Sequence, residues 1–308
     1  MERLSQELLE KLVEDCRPYT KRGKVAGYIP ALKSVDRSFL SIAVFDGKRM
    51  LSAGDTEKRF TLQSISKVIA LMLALMDNDA SVVFSKVGME PTGDTFNSIA
   101  KFENLSPQKP LTPMINAGAL TVTSMVKGKN NDEKLDRLLS LVRKLANNGA
   151  ICVNEEVAKS EFETAYLNRA LCYFLRQHGI IQDDVEELLD LYTKQCAIEV
   201  TSEDLARIGY CIANRGIHPQ TKKALIPEKI TRIATIFMVT CGMYNASGEF
   251  AIKVGIPAKS GVSGGIMCAY PLKCGIGVFS PSLDDKGNSF AGWKLLEKLG
   301  EVCELSIF

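Results

Sequence analysis

The stretch Phe60-Thr61-Leu62-Gln63-Ser64-Ile65-Ser66-Lys67-Val68-Ile69 runs on into Ala70-Leu71-Met72-Leu73-Ala74-Leu75-Met76. A run this apolar on every side predicts a buried helix. Ser64 and Lys67 are three residues apart, so on a helix they share a face and meet at its first turn. Free backbone N–H groups and the positive end of the helix dipole gather at the same place. A serine there becomes a nucleophile when a neutral lysine takes its proton. The spacing alone says little. Ser98–Lys101, Ser106–Lys109 and Ser124–Lys127 repeat it, and any one of them reads as a solvated surface pair. Ser64–Lys67 is set apart by its context, a helix start after a strand-like segment, and by a second motif far downstream.

On the N-terminal side, Ser5 to Arg17 forms an amphipathic helix, with Leu8, Leu9, Leu12, Val13 and Cys16 on one side. Ser38 to Phe45 and Arg49 to Ala53 read as strands joined through Asp46-Gly47, a hairpin signal. From about Ser81 to Ala234 helices dominate. They are expected over Asp132 to Asn147, from a start at Ser160 with Glu163 in capping-box position, over Asp183 to Gln195, from Thr201 with Asp204, and over Glu228 to Thr240. His178-Gly179 reads as a helix stop. After Gly242, strands are expected at Glu249 to Val254, Gly265 to Tyr270 and Gly275 to Ser280, then a helix from Ser289 to Leu299. The layout predicts an α+β fold. One antiparallel sheet forms from both ends of the chain, flanked by the terminal helices, with an all-helical lobe inserted. The sheet domain is discontinuous, 1–80 and 235–308, and the helical domain is 81–234. Ser64 falls at their junction, where clefts form.

The bulk composition narrows the function classes. The chain has 308 residues, 46% apolar and 24% charged, with a net charge of +2. That length buries one large core or two lobes, and the charge balance offers no field for nucleic acid. No apolar run approaches the ~20 residues that cross a bilayer, and Met1-Glu2-Arg3-Leu4-Ser5-Gln6-Glu7 lacks a secretory pattern. A cytoplasmic protein, away from membranes, is the expectation. Nine cysteines without a Cys-x-x-Cys pair read as reduced thiols, mostly buried. The two histidines, His178 and His218, stand apart from any cysteine cluster, so no metal and no organic cofactor is expected.

The downstream motif is Lys259-Ser260-Gly261-Val262-Ser263-Gly264-Gly265. Taken alone it reads as a glycine-rich turn with a solvated lysine. Paired with an upstream Ser-x-x-Lys, Lys-Ser-Gly on a strand is the arrangement of penicillin-recognising serine enzymes. A strand edge beside a cleft presents backbone N–H groups to an oxyanion, and glycines let that backbone approach a substrate.

Five segments in order then make the reading specific: Gly27-Tyr28-Ile29-Pro30, Phe60 to Lys67, Pro113-Met114-Ile115-Asn116-Ala117-Gly118-Ala119, Glu161 to Asn168, and Gly242-Met243-Tyr244 through Lys259 to Gly265. Together they resemble the serine-dependent glutaminases of the β-lactamase-like fold, over roughly Tyr28 to Ser280. Two departures are Leu111-Thr112-Pro113, where the family usually has Asn before the proline, and Tyr166-Leu167-Asn168, where it often has Arg before the Asn. The resemblance implies hydrolysis of L-glutamine to L-glutamate and ammonia, by a homodimer or homotetramer. Matching positions imply Ser64 as nucleophile and Lys67 as its base. They also imply glutamine contacts from Tyr28, Asn116, Glu161, Asn168, Tyr192, Tyr244 and Val262.

Residue chemistry agrees with that assignment without forcing it. Glutamine's zwitterionic end needs a carboxylate and donors. Glu161 and Asn168, seven apart, would sit two turns along one helix face with ~10 Å between their Cα atoms. Singly, Glu161 reads rather as a first-turn carboxylate, and Asn116 can be read as a turn residue and Tyr192 and Tyr244 as core tyrosines. The expected chemistry is acyl transfer. Lys67, kept neutral by burial and by Lys259, deprotonates Ser64; backbone N–H groups of Ser64 and Val262 hold the oxyanion; Tyr28 or Tyr244 passes a proton to ammonia. The rival readings are a penicillin-binding or β-lactamase enzyme, a non-catalytic amino-acid sensor, and an amidase preferring asparagine.

Overall fold

The computed structural model describes residues 3–92 and 109–308. Ser98, Lys101 and Ser106, which form the second and third Ser-x-x-Lys repeats, lie outside the described residues.

Strands β1 (Ser41–Phe45) and β2 (Met50–Gly54) form the expected hairpin. Asp46 closes it, its carboxylate accepting from the Lys48 and Arg49 N–H groups at 2.9 and 2.7 Å. Two short strands follow in sequence, β3 (Phe60–Thr61) and β4 (Glu199–Val200), and then β5 (Ala258–Ser260), β6 (Gly265–Tyr270) and β7 (Cys274–Phe279). The main sheet has the order β2-β1-β7-β6-β5, and every neighbouring pair is antiparallel. The first hairpin therefore meets the last strands at β1–β7, with Ile42 opposite Val278.

The terminal helices Gln6–Cys16 and Phe290–Cys303 bury Leu9, Leu12, Val13, Leu295 and Leu299 against Ile42, Val44, Ile276 and Val278 on one face. Helix Ser202–Ala213 lies on the other face, started by the Thr201/Asp204 capping box. Its approach depends on glycine. A Cβ on Gly277 would stand 2.0 Å from the Ser202 carbonyl oxygen, and one on Gly209 would stand 2.2 Å from that of Cys268. The apolar helix Ser66–Asp77 is buried along nearly its whole length, packed among Leu138, Val142, Leu145, Ile208 and Phe237.

The structure corrects several expectations. Residues 249–254 are not a strand. Ser247–Lys253 is a helix, tied by the Lys253–Glu249 pair at 2.7 Å; Phe250 is buried and Ile252 is 88% exposed. An alternating apolar triplet is too short to separate the two periods. Ser160 does not start a helix. It lies inside Glu155–Thr164, capped by Asn154, and its hydroxyl accepts from the Ala31 N–H at 3.1 Å. Glu161 and Asn168 do not share one helix. The backbone breaks at Ala165 (φ −78°, ψ 35°), and Asn168 belongs to the next helix, Tyr166–Gln177. Asn116 opens the helix Asn116–Ser124 rather than a turn. Other boundaries agree to within a few residues, as at helices Asn131–Ala146, Val185–Cys196 and Glu228–Cys241. His178 ends Tyr166–Gln177, with Gly179 in the left-handed region at φ +67°.

Candidate active site

Ser64 does not sit in an α-helix. It occupies the 3-10 turn Gln63–Ile65, and the α-helix begins at Ser66. Gln63 is held at φ +48°, unusual for a residue with a side chain. The surroundings hold this strained backbone in place. Leu62 N–H donates to the Ile198 carbonyl at 2.8 Å, and the Ser66 hydroxyl donates to the Gln63 carbonyl at 2.7 Å. Ser263 Oγ donates to the Thr61 carbonyl at 2.6 Å, which fastens the turn to the loop after β5.

That loop carries Val262. A Cβ on Gly261 would stand 2.5 Å from the Leu62 carbonyl oxygen, so only glycine lets the two segments come this close. Among the described residues no hydrogen bond takes up the Val262 N–H. The Ser64 N–H opens a helical turn, where donors have no partner within the helix.

Lys67 is buried beneath the turn, 1% exposed. Its Nζ donates to the Asn116 Oδ1 at 2.7 Å and to the Met114 carbonyl at 3.2 Å; Ser64 is not among its hydrogen-bond partners in the described residues. The direct Ser64–Lys67 pairing expected from the spacing is therefore replaced by a lysine anchored to Asn116. Burial pulls the Lys67 amine down to about 8, against the attraction of Cys196 and Glu161. The amine of Lys259, on β5 and fully buried, is lowered as well, first by burial and then by its mutual repulsion with Lys67. Lys259 Nζ donates to the Ser260 and Gly242 carbonyls at 2.7 and 3.1 Å and lies 4.5 Å from the centre of the Tyr244 ring.

Tyr244 Oη donates to the Ser260 carbonyl at 3.3 Å, and the Ser64 hydroxyl lies close enough to pull its phenol down against the effect of burial. Burial pushes its phenol above the ordinary range. Tyr244 also has a positive φ, +52°, and Ser247 Oγ brackets it, accepting from Met243 N–H and donating to the Tyr244 carbonyl, both at 3.0 Å.

A cavity of about 200 Å³ opens at Ser64. Tyr28, Asn116, Glu161, Asn168, Tyr192 and Val262 all line it. The break at Ala165 is what brings Glu161 and Asn168 to one wall from two helices. Asn116 Nδ2 donates to Asn168 Oδ1 at 3.0 Å, so a polar chain runs from Lys67 through Asn116 to Asn168. Burial pushes the Glu161 carboxyl up to about 7, against the Gln63 amide and the charge of Lys67. Lys67, Tyr244 and Lys259 stand behind this lining rather than in it. Two residues that the sequence did not single out are present. Gln63 Nε2 reaches Glu161 Oε2 at 3.2 Å, and the Cys196 thiol lines the cavity beside Tyr192. Gln63 adjoins Ser64, which was the one available signal; Cys196 offered none.

A small cavity that gathers a serine, a carboxyl and two asparagine amides is the kind of site a small polar molecule enters. The chain belongs to the glutaminase family, whose model matches residues 23–308. It is 61% identical over 306 residues to a glutaminase of Geobacillus thermodenitrificans, covering 99% of each chain. It is 58% identical to glutaminase 2 of Bacillus subtilis over 97% of each. Among solved structures it is similar to a Bacillus subtilis glutaminase in covalent complex with 5-oxo-L-norleucine, formed by reaction with 6-diazo-5-oxo-L-norleucine. That match has a TM-score of 0.90 at 43% identity, over 98% of this chain and 99% of that one.

Among the described residues no group of histidine, cysteine or acidic side chains is arranged to hold a metal ion, and no helix is long and apolar enough to cross a membrane.

Proposed function

We propose that the chain hydrolyses the side-chain amide of L-glutamine to L-glutamate and ammonia through an acyl-enzyme on Ser64. Lys67 carries the reading. A lysine this deep ordinarily pairs with a carboxylate, yet among the described residues its hydrogen bonds run to a carbonyl and an amide oxygen. With its pKa near 8, about a tenth of it is already neutral at pH 7. That is the state of a base.

In the proposed cycle Glu161 takes the ammonium of glutamine, and Asn116, Asn168 and Tyr192 position its polar end. The Ser64 oxygen attacks the γ-carbonyl carbon while the Ser64 and Val262 N–H groups hold the oxyanion. Tyr244, whose phenol interacts with the Ser64 hydroxyl, is better placed than Tyr28 to carry the proton between Ser64, Lys67 and the departing nitrogen. Lys259 supports the Tyr244 ring from behind. Water then cleaves the ester. The covalent adduct formed by the Bacillus subtilis relative supports this two-step chemistry. We also infer a serine β-lactamase-like arrangement, with 1–80 and 235–308 as the sheet domain and 81–234 as the helical one. A homodimer or homotetramer in the cytoplasm completes the reading.

The test is glutamate and ammonia release by purified protein offered glutamine and asparagine side by side. Turnover of glutamine with little of asparagine is expected. Preference for asparagine, or binding without ammonia release, would overturn the reading.

A further inference from the structure

A second cavity of about 510 Å³ adjoins the first, and the two share Tyr28 and Val262 as a common wall. It is also lined by Asn245, Asp284, Asp285 and Lys24 among others. In the proposed reaction the α-amino end of glutamine points to Glu161 and Asn168, and the carbonyl oxygen to Val262 N–H. The leaving nitrogen then faces the Tyr28–Val262 border. Ammonia needs none of the space beyond it.

We propose that this second cavity houses the amine portion of N-substituted γ-glutamyl amides. The enzyme would release glutamate from γ-alkylamides as well as from glutamine, and favour alkyl chains that end in an ammonium group. The inference rests on the acyl-enzyme reading above and adds a substrate class to it. The chemistry balances without another reactant. The Ser64 Oγ–carbonyl bond forms, the C–N bond breaks, and the departing amine takes the proton that left Ser64. Water cleaves the ester and returns a proton to Ser64.

The charge preference follows from which groups are already engaged. Lys286 Nζ is held by Glu249 at 3.0 Å. Asp284 accepts from the Lys286 and Asn288 N–H groups, both at 2.9 Å, which fixes its carboxylate at the cavity wall. Asp285 is exposed, and among the described residues no basic side chain lies within ion-pair distance of it. Asp285 is thus a lining carboxylate left open to a cationic chain end. A cationic chain end gains from this field and an uncharged one does not.

The experiment compares glutamate release from glutamine, the γ-butylamide of glutamate and its γ-(4-aminobutyl)amide, using the full chain and its Asp285→Lys variant. Both amides should be hydrolysed, the aminobutyl amide with a kcat/KM roughly fivefold higher, the size of one partly exposed charge contact. Asp285→Lys should abolish or reverse that ratio and leave glutamine turnover unchanged, since Asp285 touches no part of the first cavity. Hydrolysis of glutamine with neither amide cleaved would overturn the inference alone. So would an undiminished ratio in Asp285→Lys. No hydrolysis of glutamine would overturn the glutaminase reading, and this inference with it.

Discussion

Lys67 Nζ donates to Asn116 Oδ1 at 2.7 Å, joining the one buried lysine of the apolar helix to the first residue of another helix, 49 positions away. An amide oxygen accepts this bond without adding charge, which lets burial dominate the lysine. A carboxylate in its place would favour the ammonium form and raise the Lys67 pKa by about 1–3 units. Asn116→Asp should therefore move the rising limb of the pH–rate profile at least one unit to the alkaline side and cut kcat at pH 7 about tenfold or more. A variant that loses activity with the limb unmoved would show that some group other than Lys67 titrates there.

The unmodified enzyme should show two groups on the same side of its profile. Lys67 acts as a base only when deprotonated, and its pKa near 8 is low for a lysine. In the proposed role Glu161 holds a substrate ammonium only when ionised, and its pKa near 7 is high for a carboxyl. Each shift has the sign that makes kcat/KM rise with pH, through about 7 and again through about 8. The logarithmic plot should steepen toward a slope of 2 below pH 7. Glu161→Gln should raise KM and reduce that slope toward 1. A flat profile between pH 6 and 8 would contradict both assignments.

The parts of the fold legible in the sequence are those governed by local chemistry. Asp46-Gly47 specified a hairpin, Thr201 with Asp204 a helix start, and Lys259-Ser260-Gly261 a strand leading into a tight loop; each forms. The misread parts depend on partners distant in the chain. Strands β3 and β4 are two residues each, with residues 62 to 198 between them, and no local pattern marks their pairing. The break at Ala165 contains neither glycine nor proline, so nothing marks it, yet it brings Asn168 to the cavity wall that Glu161 lines. The site residues themselves were legible only through their ordered combination. Gln63 shows why: its left-handed backbone and its bond to Glu161 arise from the contact between the Ser64 turn and the Gly261 loop.

That contact is itself testable. Gly261→Ala places a methyl 2.5 Å from the Leu62 carbonyl oxygen, nearer than real Cβ atoms come to backbone. The loop must retreat, and Val262 N–H moves away from the Ser64 oxygen. Overpacking of this kind costs about 1–3 kcal/mol of stability. Losing one oxyanion donor costs about 10²–10³ in kcat. Gly261→Ala should show both, with KM for glutamine changed little because Glu161, Asn116 and Asn168 stay in place. Thermal unfolding and steady-state kinetics on the same preparation separate the two effects. Full kcat in a destabilised variant would remove Val262 from the oxyanion site.

The nucleophile can be identified by trapping. The reagent 6-diazo-5-oxo-L-norleucine is a glutamine-like molecule that reacts with the Bacillus subtilis relative to leave 5-oxo-L-norleucine attached. The same reagent should add one 5-oxo-norleucyl group to this chain, located by peptide mass analysis on the segment containing Ser64. Glutamine should slow the labelling, because in the proposed pose both molecules place their α-amino ends at Glu161 and Asn168. Ser64→Ala removes a single oxygen from an 8% exposed position, so the fold and the cavity survive; labelling should vanish and turnover fall by about 10⁴-fold or more. Lys67→Met should leave the hydroxyl in place but unactivated, with labelling slowed and turnover lost to a similar degree. Cys196 lines the same cavity and is the competing thiol. Burial raises its pKa above the ordinary thiol range, which makes it a poor nucleophile. An adduct on Cys196, or one that persists in Ser64→Ala, would move the covalent chemistry away from Ser64.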